Sequence, residues 1–215
     1  MGLAISVHSY ASALTYADDP EYLEYLREDI DTINRVLADN GLPPHTEAET
    51  EGPATMRKHA GSFPYSFVHY LRRAYAHAYT HPGQPLTPLA EGRQPTEDPL
   101  LEEVMYGFES HLICHSDAEG YYVPIDFDQV LVPEDPGIKL AGGLLGSSVA
   151  LLRELIYLAP HIGIELEDGN LTDAAAAALH RYDEDHPFQR EREIWLALFE
   201  SARVSVANRT LISFG

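Results

Sequence analysis

The chain has 215 residues, of which 34 are acidic and 14 basic, for a formal net charge of −20. That length suits one domain and lets folding bury roughly 70% of the unfolded surface, so no metal or disulfide staple is required. The charge repels phosphate backbones, which sets general nucleic-acid binding aside, and no apolar run reaches the roughly 18 residues of a membrane span.

Residues 3–8 of "MGLAISVHSY" alternate as a first strand, and the segment lacks the basic start of a signal peptide. "DDPEYLEYLREDIDTINRVLADNG" follows as a helix, with Asp18 or Asp19 as cap, Pro20 in its first turn and Asn40-Gly41 as its stop. Leu23, Leu26, Ile30, Ile33 and Leu37 alternate spacings of three and four, so they form one apolar stripe. Residues 41–62, rich in Pro, Glu and Thr, read as a surface loop. "PYSFVHYLRRAYAHAYT" is the second helix, with Phe67, Leu71, Ala74 and Ala78 inward and Ser62 as a cap before it. Residues 81–96 are Pro- and Gly-rich and read as a second surface loop.

"LLEEVMYG" is a short helix, while "HLICH", "YYVPI" and "QVLV" read as strands. Helices resume after Gly146, where Ser147 or Ser148 caps one and Thr172 or Asp173 the next. "FQREREIWLALFESARVSVANR" is a long amphipathic helix, and "TLISF" closes the chain as a strand. Few strands with five or six helices predict a single α+β domain, 1–215, in which helices pack on a small central sheet.

The densest chemistry lies in "ESHLICHSDAEGYYVPIDF", residues 109–127. As a strand, period two places Glu109, His111, His115 and Asp117 on one face and Leu112 and Cys114 on the other. His111 and His115 would then lie roughly 13 Å apart, too far for one metal ion with ligands at about 2 Å. As a helix the two would sit one turn apart, yet "HLICH" lacks the glutamate of the zincin pattern. Surface or hydrogen-bonded histidines are therefore the better reading, and a metal, if any, would use His115 and Asp117. "SDAEG" is a turn, with Asp117 and Glu119 as polar candidates and Tyr121 and Tyr122 on opposite faces.

On the second helix, His69, Arg73 and His77 recur every four residues and form the one concentrated basic stripe, against the plainer reading of a solvated face. In so acidic a chain this stripe is expected to adjoin the Asp117–Glu119 turn. The resulting polar cleft would hold His69, Arg73, His77, His111, His115, Asp117 and Glu119, edged by Tyr121 or Tyr122. "GGLLGSS" at 142–148 lacks the P-loop lysine, no catalytic triad is arguable, and no motif calls for a cofactor.

"GLAISV", "GSFPYSFVHYLR" and "HSDAEGYYVP" together resemble a pattern in uncharacterised bacterial proteins with a "GLDIS"-like strand, a "GSY"-led helix and an "SDCEG" loop. Here Ala4 stands where aspartate is usual, and Ala118 where cysteine is. The resemblance implies a bacterial origin and carries over no catalytic residue.

The acidity has a plain reading, solubility or adaptation to salt, and a sharper one, steering toward a basic partner. Without a catalytic constellation, the expected function is an acidic binding or inhibitory module. An immunity-type protein that recognises a basic protein partner, with no nucleic acid and no membrane involved, is its concrete form. The alternative is a metal-assisted hydrolase built on the 109–119 segment, using His115 and Asp117 with Glu109 or His69 as a further ligand. A single cysteine, Cys114, fits the cytoplasm, and nothing in the sequence sets an oligomeric state.

Overall fold

A computed structural model describes residues 2–16, 19–57, 62–181, 183 and 185–215. Strand β1 (Leu3–Val7) runs into His8, whose φ of 65° turns the chain directly into helix α1 (Ser9–Tyr16). That helix was not expected from the sequence. Helix α2 (Pro20–Asp39) is capped by Asp19, whose carboxylate accepts from the Glu21 and Tyr22 amides at 3.0 and 3.4 Å. Asp18, the other capping candidate, lies outside the described residues. Asn40 closes the helix, and Gly41 takes the left-handed φ of 69° that follows it. Leu26, Ile33 and Leu37 of the predicted stripe are buried, while Leu23 and Ile30 are half-buried.

The loop after α2 is pinned from inside. His45 and Glu47 are buried and 2.6 Å apart, and Glu47 also accepts from the Thr210 hydroxyl and the Leu211 amide. Strand β2 (Ser62–Phe63) then pairs antiparallel with β1, so Ser62 is a strand residue rather than the expected cap. Helix α3 (Tyr65–Thr80) starts after Pro64 with no side-chain cap. Helix α4 (Pro99–Met105) is capped by Asp98, which accepts from the Leu100 amide at 3.1 Å.

Residues 111–114 correct the strand expected there: they form a short helix, α5 (His111–Cys114). The reason is tertiary. Ser110 Oγ accepts from the Ile113 amide at 3.1 Å, and the Glu154 carboxylate accepts from the His111 and Leu112 amides at 2.7 Å each. These contacts satisfy the free amides of a helix start, which a local reading of "HLICH" does not contain.

Strand β3 (Gly120–Val123) follows, then strand β4 (Leu145–Ser147) and helix α6 (Ser148–Leu158), capped by Ser147. The run expected as a strand around Leu131 makes only an isolated bridge to Leu145. Helix α7 (Asp173–Leu179) is capped by Thr172; helix α8 (Gln189–Asn208) and strand β5 (Ile212–Phe214) complete the chain.

The sheet order is β2-β1-β5-β3-β4, antiparallel throughout except for the parallel β3–β4 pair. Period-two alternation sends neighbouring residues of β3 to different cores. Tyr122, Ile212 and Phe214 join the larger core with Trp195 and Phe199 of α8 and Leu151 and Leu155 of α6. Tyr121, Val123 and Leu145 pack on the other face against Ile33, Val36 and Leu37 of α2. Trp195 is fully buried, and its indole N–H donates to the Leu155 carbonyl at 2.8 Å. The expected α+β class holds, with eight helices and a five-stranded mixed sheet among the described residues. No described helix is long and apolar enough to cross a membrane.

Candidate functional site

Helix α3 does meet the segment that follows α5, but not through the expected set of side chains. His69 Nε2 lies 2.8 Å from Asp117 Oδ2. Burial and the nearby Arg72 charge lower the His69 pKa, against the pull of Asp117. Arg73 and His77 turn elsewhere: both contact Asp98 Oδ2, at 3.0 and 2.7 Å, and Arg73 also donates to the Thr87 carbonyl. Burial alone would raise Asp98, but its bonds to His77 and the Leu100 amide, with the Arg73 charge, hold it below the usual carboxylate range. The basic stripe is therefore split between two acidic partners.

Arg72, next to the basic stripe in sequence, is the residue that joins the segments. It is buried, with Nε donating to the Leu112 carbonyl at 2.8 Å and Nη2 to the His115 and Ser116 carbonyls at 2.6 and 3.2 Å. Glu154, which caps the start of α5, is likewise buried, and burial pushes its carboxyl up to about 7 against three hydrogen-bond donors. A carboxylate at the amino end and a guanidinium at the carboxyl end both complement the dipole of α5.

His111 and His115 correct the expectation that they face outward. Both are buried, and burial pushes each down to about 4. The Ser147 amide donates to His111 Nδ1 at 2.9 Å, so Nε2 carries the proton and donates to the Phe127 carbonyl at 3.1 Å. His115 faces two carbonyls, Ser116 at 2.9 Å and Tyr121 at 3.0 Å, and a neutral ring donates to one of them. Its ring stacks on Tyr122 at 4.0 Å between centroids. Gly120, with φ of 124°, lets His115 approach: a Cβ there would lie 3.0 Å from the ring.

Neither tyrosine joins His69 and Asp117: Tyr121 lines a small hollow against α2 with Asp29 and Leu26. Tyr121 bonds through its hydroxyl to Asp29 of α2, and Tyr122 donates to the His111 carbonyl at 3.0 Å. Both are buried, which raises their pKa values. Glu119 is exposed on the turn.

This arrangement does not bring His115 and Asp117 together as metal ligands. His115 has both ring nitrogens on carbonyls, while Asp117 meets His69. Among the described residues, no group of three or more His, Cys, Asp or Glu side chains is placed to hold a metal ion. The Cys114 thiol is pushed up to about 11 by burial, far from nucleophilic at neutral pH. These residues build a support for α5.

The surface carries different chemistry. Glu21, Glu24, Glu28 and Asp31 are exposed on α2 at spacings of three, four and three, which places them on one helical face. Reading only apolar periodicity missed this row; the same test applied to carboxylates finds it. Meanwhile several cations serve internal networks. Arg57 and Arg203 both bind the fully buried Glu200, Arg72 caps α5 and Arg73 holds Asp98.

A protein-family model described as "Putative DNA-mimic protein" matches residues 1–214. No curated protein and no solved structure matches the chain. The family match corrects the expectation that nucleic acid has no part in the protein's recognition. A DNA mimic shares with DNA the charge that keeps the two apart, so the implied partner is a protein that binds DNA, in place of the basic target of an immunity-type protein. With the match running from the first strand to the last, the chain belongs to this DNA-mimic family.

Proposed function

We propose that the protein occupies a DNA-binding protein in place of DNA, with the exposed face of α2 as its main contact strip. The carrying observation is the row Glu21, Glu24, Glu28 and Asp31. At about 1.5 Å rise per residue, neighbours in that row stand about 4.5 to 6 Å apart along the helix axis. A DNA strand carries a charge about every 3.4 Å along its axis. A helix held against the sheet thus offers charge of the same sign at comparable density. Arg35 lies next along the row, but its Nη2 donates to Thr32 Oγ1 at 2.9 Å, which draws its charge back toward the helix. Family membership supports this reading, and a lone, buried thiol supports placing the protein in the reducing cytoplasm.

The test is displacement. A labelled duplex is bound to each of a panel of purified DNA-binding proteins, and its anisotropy is followed as this protein is added. Release of the duplex is expected, weakening as salt rises, because both ligands compete through charge. Replacing Glu21, Glu24 and Glu28 together by glutamine should raise the concentration needed by about tenfold. Release from none of the panel, or undiminished release by the triple variant, refutes the assignment.

A further inference from the structure

Helices α3 and α4 and the chain after them border an open hollow of about 300 Å³, lined by Tyr75, Tyr79, Glu103, Val104 and Glu109 among others. Tyr79 and Glu109 also line a wider hollow of about 720 Å³, which reaches Asp128 and, past the carboxyl end of α2, Asn40 and Leu42. Sharing two residues, the hollows are adjoining parts of one groove. The Tyr75 and Tyr79 rings stack, with centroids 5.9 Å apart and planes within 16°. Tyr75 is buried beneath, and Tyr79 is 51% exposed. Glu103, Glu109 and Asp128 are all exposed, and none forms an ion pair or a side-chain hydrogen bond among the described residues. Met105, Tyr106 and Phe108 expose apolar surface on the adjoining turn.

An aromatic face beside unpaired carboxylates favours one kind of cation. A guanidinium is planar and weakly hydrated; it stacks on tyrosine while its N–H fork binds carboxylate. An ammonium is compact and strongly hydrated and gains less from the ring. We propose that this groove is a guanidinium site, which seats an arginine side chain of the protein partner between the Tyr79 ring and the Glu103 and Glu109 carboxylates. The inference rests on the DNA-mimic reading, because DNA-binding proteins present arginines toward phosphate. It adds an aromatic contact that a phosphate array lacks.

The probes are capped tetra-arginine and tetra-lysine peptides, titrated into the full chain at physiological ionic strength and followed by NMR. Tetra-arginine is expected to bind several-fold more tightly and to shift the Tyr79 ring signals. Tyr79→Leu keeps an apolar side chain at a half-exposed position, so the fold should survive, as thermal unfolding will verify; it should bring the two peptides to equal affinity. Glu103→Gln with Glu109→Gln should weaken tetra-arginine binding by about tenfold, the scale of two exposed ion pairs. Glu165→Gln, which lines neither hollow, should leave the preference intact. Equal binding of the two peptides by the unaltered protein, or a preference that survives Tyr79→Leu, overturns the site. If the preference is absent yet DNA is still displaced from its binding protein, the groove fails and the mimic reading stands. If the preference is present and no DNA is displaced, the groove stands and the mimic reading falls.

Discussion

Glu154 and Arg72 grip opposite ends of one four-residue helix: Glu154 accepts from the first two amides of α5, and Arg72 donates to carbonyls at its exit. Neither is near α5 in sequence, and both are buried. Two charges distant in sequence thus decide the conformation of this segment.

Removing Arg72 should therefore unfix that segment. Arg72→Ala leaves the Leu112, His115 and Ser116 carbonyls without their charged donor. A loss of about 3 kcal/mol is expected in urea unfolding, the scale for breaking a buried charged network. Arg72→Lys should recover little, since one ammonium cannot span three carbonyls in the guanidinium's plane. A change below about 0.5 kcal/mol, the level of a surface substitution, would show that α5 holds its shape unaided.

His111 and His115 should stay neutral in the folded protein well into the acid range. Their folded pKa values, about 4, lie below the ordinary histidine value of 6.5. For a depressed group, the stability contribution is complete above the unfolded pKa and is lost as pH falls through the folded one. Stability should thus decline between about pH 6.5 and pH 4 as the unfolded chain takes up protons first. NMR titration of the ring protons provides the check, and imidazolium shifts from either residue at pH 5 would contradict it.

Glu154 should work in the opposite sense. Its folded pKa, about 7, is raised above the ordinary carboxyl value of 4.5. Its contribution is complete below 4.5 and is lost as pH rises through 7, because the unfolded chain ionises earlier. Carbon-detected NMR of the glutamate carboxyls should find one that titrates near neutrality and disappears in Glu154→Gln. If every glutamate has titrated by pH 5.5, burial does not govern this group.

Gly146 lies opposite Tyr122 on the neighbouring strand, where a Cβ would collide with the tyrosine ring. Tyr122 is fully buried and its hydroxyl is held by the His111 carbonyl, so the ring has little room to yield. Gly146→Ala should cost about 1–3 kcal/mol, the range for overpacking a core. Thermal unfolding within a degree of the unaltered protein would mean that the β3–β4 pair relaxes freely.

Sequence by itself determined what depends on neighbours a few residues apart. The long helices 20–39 and 189–208 follow from apolar residues recurring at three and four, and Asp19, Ser147 and Thr172 cap helices through amides two or three positions ahead. The α+β class follows from the count and spacing of such elements, and the surface charge from composition. Tertiary structure alone decided the rest. Residues 111–114 are helical because a glutamate 42 and 43 positions away satisfies the amides of Leu112 and His111, an interaction no local propensity encodes. His111 and His115 are buried because that helix carries them under β3 and β4, where backbone groups of distant segments take up their ring nitrogens. The basic stripe dissolves for the same reason: Asp117 and Asp98 reach α3 from different turns, and buried carbonyls hold Arg72 inside. Partner choice for a charged or polar group is set by which distant groups share its burial, because an unpaired one inside costs several kcal/mol or about as much as the fold can spare.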